Sequence, residues 1–137
     1  MATFEWDKTK ADAMKILGKD GDVPDKPATI DKALTDFGKA YETFKKSSEG
    51  IEKDILALEN SNDEIKNALK QFQATISKSD LGLDPKKKED AKKIQQARKI
   101  LMDRITVGMK RHDTNEKEFD ELDKHVIQLG KYKPGTP

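Results

Sequence analysis

The chain has 137 residues, of which 34% are hydrophobic and 39% are charged. Compact globular domains typically have about 45–50% hydrophobic and about 25% charged residues. The near balance of 27 basic and 26 acidic residues argues against a disordered or nucleic-acid-binding chain. We therefore expect a single elongated all-α domain over residues 1–137, with long helices and a thin core.

The N-terminus lacks the charged start and apolar run of a cleaved signal peptide. No apolar stretch approaches the roughly 20 residues of a membrane span. We expect a soluble protein that is cytoplasmic, or exported without a cleaved signal peptide.

The first predicted element is a short helix over residues 3–18. Trp6, Ala13 and Leu17 fall on one face, and Gly18 is suited to end the helix. The glycines and prolines of residues 18–29 predict a loop.

A regular apolar pattern begins after Thr29, a suitable helix N-cap. Its positions follow alternating steps of four and three, the heptad spacing of a helix packed on a partner helix. Twelve of the fourteen positions are apolar or aromatic. The phase continues through residues 47–50, so the pattern predicts one long helix over residues 29–78. The positions are Ile30, Leu34, Phe37, Tyr41, Phe44, Ser48, Ile51, Ile55, Leu58, Asn62, Ile65, Leu69, Phe72 and Ile76.

A second heptad pattern predicts a helix over residues 85–129, followed by a flexible tail over residues 130–137. Its positions are Ala91, Ile94, Arg98, Leu101, Ile105, Gly108, His112, Asn115, Phe119, Leu122, Val126 and Leu129. Asp84 and Pro85 suit the start of this helix, and Gly82 suits a turn before it.

The two long helices should form an antiparallel, coiled-coil-like hairpin, because a short loop joins them. A turn centred near residues 81–82 would place Phe44 opposite Phe119 and Ile55 opposite Gly108. The short N-terminal helix spans only about 20 Å. We expect it to pack at the base of the hairpin, the end away from the turn, beside Phe37 and Leu122.

The same alignment brings three polar residues, Ser48, His112 and Asn115, to one level of the hairpin. A buried polar layer of this kind can fix the register and orientation of paired helices. The alternative is a metal or small-ligand site around His112.

Two pairs of possible metal ligands lie four residues apart, His112 with Glu116 and Glu121 with His125. The Glu-x-x-His motif of di-iron bundles is absent, and three of these four residues lie off the heptad positions. The sequence therefore assigns no metal ligand and no cofactor.

The second long helix also carries candidates for a partner interface. Ile100, Met102 and Met109 are apolar residues outside the heptad positions, and Lys86, Lys87 and Lys88 begin a basic stretch. Residues 86–111 hold ten basic and three acidic residues, whereas residues 113–123 hold one basic and six acidic residues. This basic stretch could steer an acidic protein partner, nucleic acid or a membrane surface to the turn.

The sequence has no phosphate-binding glycine loop, nucleophile motif or zinc spacing. We therefore expect a non-enzymatic helical interaction or structural module, such as an adaptor, a scaffold or a secretion-related protein. Its partner would be another protein or a second copy in a homodimer. Without interleaved aromatic residues, the basic stretch is a weak signal for nucleic acid.

Overall fold

The computed structural model describes residues 4–47 and 50–131. Within these ranges the chain forms four α-helices and no strand: α1 (Trp6–Leu17), α2 (Ala28–Lys46), α3 (Ile51–Lys78) and α4 (Lys88–Lys131). Helices α3 and α4 pack against each other as an antiparallel hairpin, α2 packs on α3, and α1 packs on α4. The predicted all-α fold is confirmed. Residues 130 and 131 of the predicted tail belong to α4 rather than to a tail, and the rest of it lies outside the described residues.

The prediction of one continuous helix over residues 29–78 is wrong. Helix α2 ends at Lys46, the backbone of Ser47 is extended, and Gly50 has a left-handed conformation with φ 71° before α3 begins. A residue with positive φ cannot continue an α-helix, and glycine takes this conformation without a steric cost. Helix α2 therefore folds back along α3. The heptad phase continues because both helices turn their apolar residues toward the same core.

The register of the hairpin differs from the predicted one by two heptads. Asn115 contacts Asn62 rather than lying opposite Ser48. Gly108 lies against Leu69 rather than opposite Ile55. A shift by whole heptads leaves every apolar position facing the partner helix, so the apolar pattern alone could not distinguish the two registers.

The segment between α3 and α4 accounts for this shift. The Arg98 guanidinium donates to the Ser79 carbonyl, and Leu81 and Leu83 are buried against the larger core. Residues 79–87 therefore extend along the first turns of α4, and the chain reverses near Lys88 rather than near residues 81–82. Helix α4 begins three residues later than predicted.

Helix α1 lies at the turn end of the hairpin, so its predicted place at the base is wrong. Trp6 is fully buried, and its ring centroid lies 4.2 Å from that of Phe72. The Trp6 indole donates to the Pro24 carbonyl at 3.3 Å. The loop after α1 is tied to the turn, because the Asp22 amide donates to the Leu81 carbonyl at 2.7 Å.

Two apolar clusters fill the interior. The larger cluster occupies the turn end, and its largest fully buried side chains are Trp6, Leu17, Val23, Ile30, Leu69, Phe72, Ile76, Leu81, Leu101 and Ile105. The smaller cluster, at the base, has three buried residues, Ile55, Leu58 and Phe119, with half-buried residues of α2 and α4 around them. There α2 occupies the place predicted for α1, and the Phe37 and Phe119 rings lie 6.4 Å apart.

Candidate functional site

A buried polar layer crosses the hairpin between the two apolar clusters. Asn62 is only 1% exposed. Its amide nitrogen donates to the His112 carbonyl at 3.1 Å, and its carbonyl oxygen accepts from Asn115 Nδ2 at 3.1 Å. The structure therefore brings the predicted His112 and Asn115 together with Asn62, while Ser48 lies outside the described residues. That this layer sets the helix register stays a prediction.

The His112 side chain is 4% exposed, and carboxylates face both of its ring nitrogens. Nε2 lies 3.0 Å from Asp63 Oδ1 and 3.4 Å from Glu116 Oε1. Nδ1 lies 3.2 Å from Asp113 Oδ1. His112 occupies a heptad position and therefore faces α3, where Asp63 directly follows the buried Asn62.

Asp63, His112 and Glu116 form a possible metal-ligand group. One ligand atom from each residue lies within 4.8 Å of the other two. Imidazole nitrogen and carboxylate oxygen are both common ligands of zinc and other first-row metals. Of the two predicted ligand pairs, the structure joins His112 and Glu116 to a third ligand-bearing residue, whereas Glu121 and His125 are exposed.

A cavity of about 250 Å³ lies beside the polar layer. Its walls are largely apolar and include Phe4, Leu34, Phe37 and Leu69, while His112 and Asn115 supply polar groups. The cavity occupies the gap between the start of α1 and the middle of α2. Both short helices therefore border the hairpin at the level of His112.

A carboxylate cluster continues from Glu116 toward the base. Burial raises the pKa of the Glu59 carboxyl above its ordinary value. A hydrogen bond with Asp123, and the charges of Asp123, Glu116 and Asp120, raise the pKa of Glu59 further. Four acidic residues from two helices therefore produce a concentrated negative field here.

Beside these carboxylates lies a groove that α3 and α4 line without α1 or α2. Its lining includes Leu56, Ile127, Glu52, Glu59 and Asp123. Leu56 is 57% exposed and Ile127 is 54% exposed, the two highest values among the large apolar residues that the structure describes. The base therefore presents an apolar groove with an acidic rim.

The residues predicted to contact a partner occupy three different environments. Met102 and Met109 are half-buried and pack against the larger core. Ile100 is half-buried, two residues from Met102 and thus on another side of α4. Lys86, Lys87 and Lys88 are exposed before and at the start of α4. Their role at an interface stays a prediction.

Sequence reasoning did not assign Asn62 or Asp63 to the site. Asn62 had a detectable signal, because it is a polar residue at a heptad position, but the predicted register placed it opposite Leu101. Asp63 had no such signal, because acidic residues beside a heptad position are frequent on exposed helix faces.

No helix in the described part of the chain is long and apolar enough to cross a membrane. Comparisons with family models, curated proteins and solved structures give no match, so its function has to be argued from the fold and this site.

Proposed function

We propose that the protein is a non-enzymatic helical interaction module whose partner is a second copy of the same chain. The observation that carries the proposal is the acidic-rimmed groove at the base, where Leu56 and Ile127 are more than half exposed. Contiguous exposed apolar side chains rimmed by polar residues are typical of protein interaction sites.

The groove belongs to a larger face of the α3–α4 hairpin, which we call the open face. At the base, neither α1 nor α2 covers it. On α4, Met102, Met109, Glu116 and Asp123 follow at seven-residue intervals and therefore share one side of the helix. On α3, Glu59, Asp63, Lys66 and Lys70 follow at steps of four and three. The open face thus changes from acidic at the base to basic and apolar toward the turn.

This charge distribution fits a second copy in antiparallel orientation. The acidic base of one copy would face Lys66, Lys70 and Lys99 of the other, and two-fold symmetry would repeat the contact. Opposite charges then align at both ends, while Leu56, Ile127, Met102 and Met109 lose contact with water. The change from basic to acidic residues along 86–123 would then determine the relative orientation of the two copies.

Light scattering on a sizing column, across a concentration range, tests the proposal. The native chain should reach about twice its mass of 15.5 kDa. The double variant Leu56→Lys/Ile127→Lys should remain monomeric, because lysines in the groove repel the basic stretch of the second copy. Tyr41→Lys is the matched control, since Tyr41 is exposed on α2, outside the groove.

A native chain that stays monomeric at all concentrations would overturn the proposal. A double variant that dimerises like the native chain would also overturn it. Circular dichroism of each variant would establish that the helices are retained.

A further inference from the structure

The polar group around His112 Nε2 has the chemistry of a cation site. Asp63 Oδ1 and Glu116 Oε1 lie 3.0 Å and 3.4 Å from this nitrogen. The two carboxylates repel each other, and the His112 side chain beside them is only 4% exposed to solvent. A positive ion among these atoms would relieve that repulsion.

The other side of the ring directs Nε2 toward the two carboxylates. Asp113 Oδ1, 3.2 Å from Nδ1, can accept a hydrogen bond from Nδ1–H. The neutral imidazole then carries its free electron pair on Nε2, between Asp63 and Glu116. A carboxylate bound to the second nitrogen of a ligating histidine is the usual device for orienting that histidine in metal sites.

The Glu116 carboxylate is also oriented by a hydrogen bond from the buried polar layer. Asn62 Nδ2 donates to Glu116 Oε1 at 3.3 Å, and Asn62 is itself held by Asn115. The buried polar layer therefore orients both His112, through its backbone carbonyl, and Glu116, through its carboxylate. Asp63 is 61% exposed and Glu116 is 36% exposed, which leaves a path for an ion to enter from solvent.

We propose that Asp63, His112 and Glu116 bind one zinc ion, with water completing its coordination. Tetrahedral zinc with bonds of about 2.0–2.2 Å keeps its ligand atoms about 3.3–3.6 Å apart. The distances from Nε2 to the two carboxylates are close to this spacing, and all three ligand atoms lie within 4.8 Å of one another. One imidazole and two carboxylates also neutralise the charge of a divalent ion.

Calorimetric titration of zinc chloride into the metal-free 137-residue chain tests the site. The native chain should bind one zinc ion per chain. His112→Ala and Asp63→Asn should each weaken binding at least tenfold, and Asp113→Asn should weaken it by about 10-fold to 100-fold, as expected for a residue that orients a ligand. His125→Ala is the control, because His125 is exposed and lies four residues from Glu121 in a similar sequence setting.

A native chain that takes up no zinc at about 100 µM free ion, a concentration that would saturate a specific site, would overturn the proposal. Equal binding by the native chain and Asp63→Asn would overturn the proposal too. Because Asp63 is exposed, this variant should fold even if His112→Ala does not.

Asp63 and Glu116 also lie on the open face, but all three zinc ligands come from one chain, so zinc binding and self-association are tested separately. A native chain that stays monomeric but binds one zinc ion would reject only the proposed self-association. The reverse result would reject only the zinc site. A thermal melt gives an independent readout: zinc should raise the melting temperature of the native chain but not that of Asp63→Asn.

Discussion

Asn115 donates a hydrogen bond to Asn62 across the α3–α4 interface, at 3.1 Å and between the two apolar clusters. Each amide partly satisfies the other in a place that water reaches poorly. Removing one amide therefore has a different consequence from removing both.

We expect Asn62→Ala to lower the free energy of unfolding by about 1–3 kcal/mol, because it removes the buried hydrogen bonds that Asn62 makes with Asn115 and with the His112 carbonyl. The double variant Asn62→Leu/Asn115→Leu should cost less than the single variant. Urea unfolding followed by circular dichroism measures both. A double variant less stable than the single one would show that the amides are not coupled in this way.

The Trp6 side chain should be the main anchor of α1. Trp6→Ala should lower the free energy of unfolding by about 3–5 kcal/mol, because it empties a fully buried site against Phe72. Trp6→Phe, which keeps an aromatic ring, should cost less. Chemical denaturation would measure both variants, and a cost for Trp6→Ala below about 1 kcal/mol would contradict this anchoring role.

Gly82 should tolerate no side chain. Its φ is +83°, and an added Cβ would lie 2.5 Å from the Asp20 carbonyl oxygen and 3.0 Å from the Asp22 nitrogen. Gly82→Ala therefore combines backbone strain of about 1–2 kcal/mol with a clash that pushes the 18–27 loop off the turn.

Gly50→Ala provides the matched control for Gly82→Ala. Gly50 also has a positive φ, of +71°, but among the described residues, its chain neighbours aside, no atom lies within 4 Å of its added Cβ. Thermal melts should show a larger loss of stability for Gly82→Ala than for Gly50→Ala. Equal losses would mean that the contact between loop and turn contributes nothing.

Glu59 should make stability depend on pH. Its pKa is raised in the folded state by burial and by neighbouring carboxylates, so the folded chain binds this proton more tightly than the unfolded chain. Ionised Glu59 therefore destabilises the fold at neutral pH, and the penalty is relieved as pH falls through the raised pKa.

Glu59→Gln should accordingly stabilise the protein at pH 7 by about 0.5 kcal/mol, the size of one relieved like-charge pair. The advantage over the native chain should shrink as the pH is lowered. Urea unfolding at several pH values measures it, with Glu64→Gln, an exposed change on α3, as the control. If the stability gain from Glu59→Gln grew as the pH was lowered, the raised pKa of Glu59 would be contradicted.

Met102 and Met109 should contribute to self-association through the open face. Each Met→Asp variant should weaken the dimer, because the new carboxylate would face the acidic base of the second copy. Both methionines also pack against the core, so stability has to be measured alongside mass. Lys70→Asp, on the same face of α3, should weaken the dimer without a large change in stability. A dimer unaffected by all three changes would exclude this part of the face.

The sequence was sufficient for the all-α fold and the helical hairpin, because both follow from heptad periodicity. It was insufficient for the register, since a shift of Asn115 from Ser48 to Asn62 preserves every apolar position. It also could not separate a continuous helix from two helices meeting at Gly50, because a helix that folds back reuses the same apolar phase.

The site was predictable only in part, for the same reason. His112 and Asn115 stand out as polar residues at heptad positions, and Glu116 follows His112 at helical spacing. Asp63 enters the site through the true register, which depends on the extended path of residues 79–87 along α4. That path is determined by the burial of Leu81 and Leu83, two residues in a segment whose composition predicts only a turn.

The unequal size of the two apolar clusters divides the hairpin into a tightly held part and a loosely held part. Among the residues that the structure describes, the base has three buried apolar side chains, whereas the turn end contains α1, its following loop and most of the buried side chains. Opening of the base should therefore require less free energy than global unfolding. Backbone amides of the second half of α2 and of the last turns of α4 should exchange with deuterium sooner than those near Phe72 and Leu101. The groove proposed to bind a second copy therefore lies in the part of the fold that should open first. Self-association would slow deuterium exchange of the backbone amides in this part.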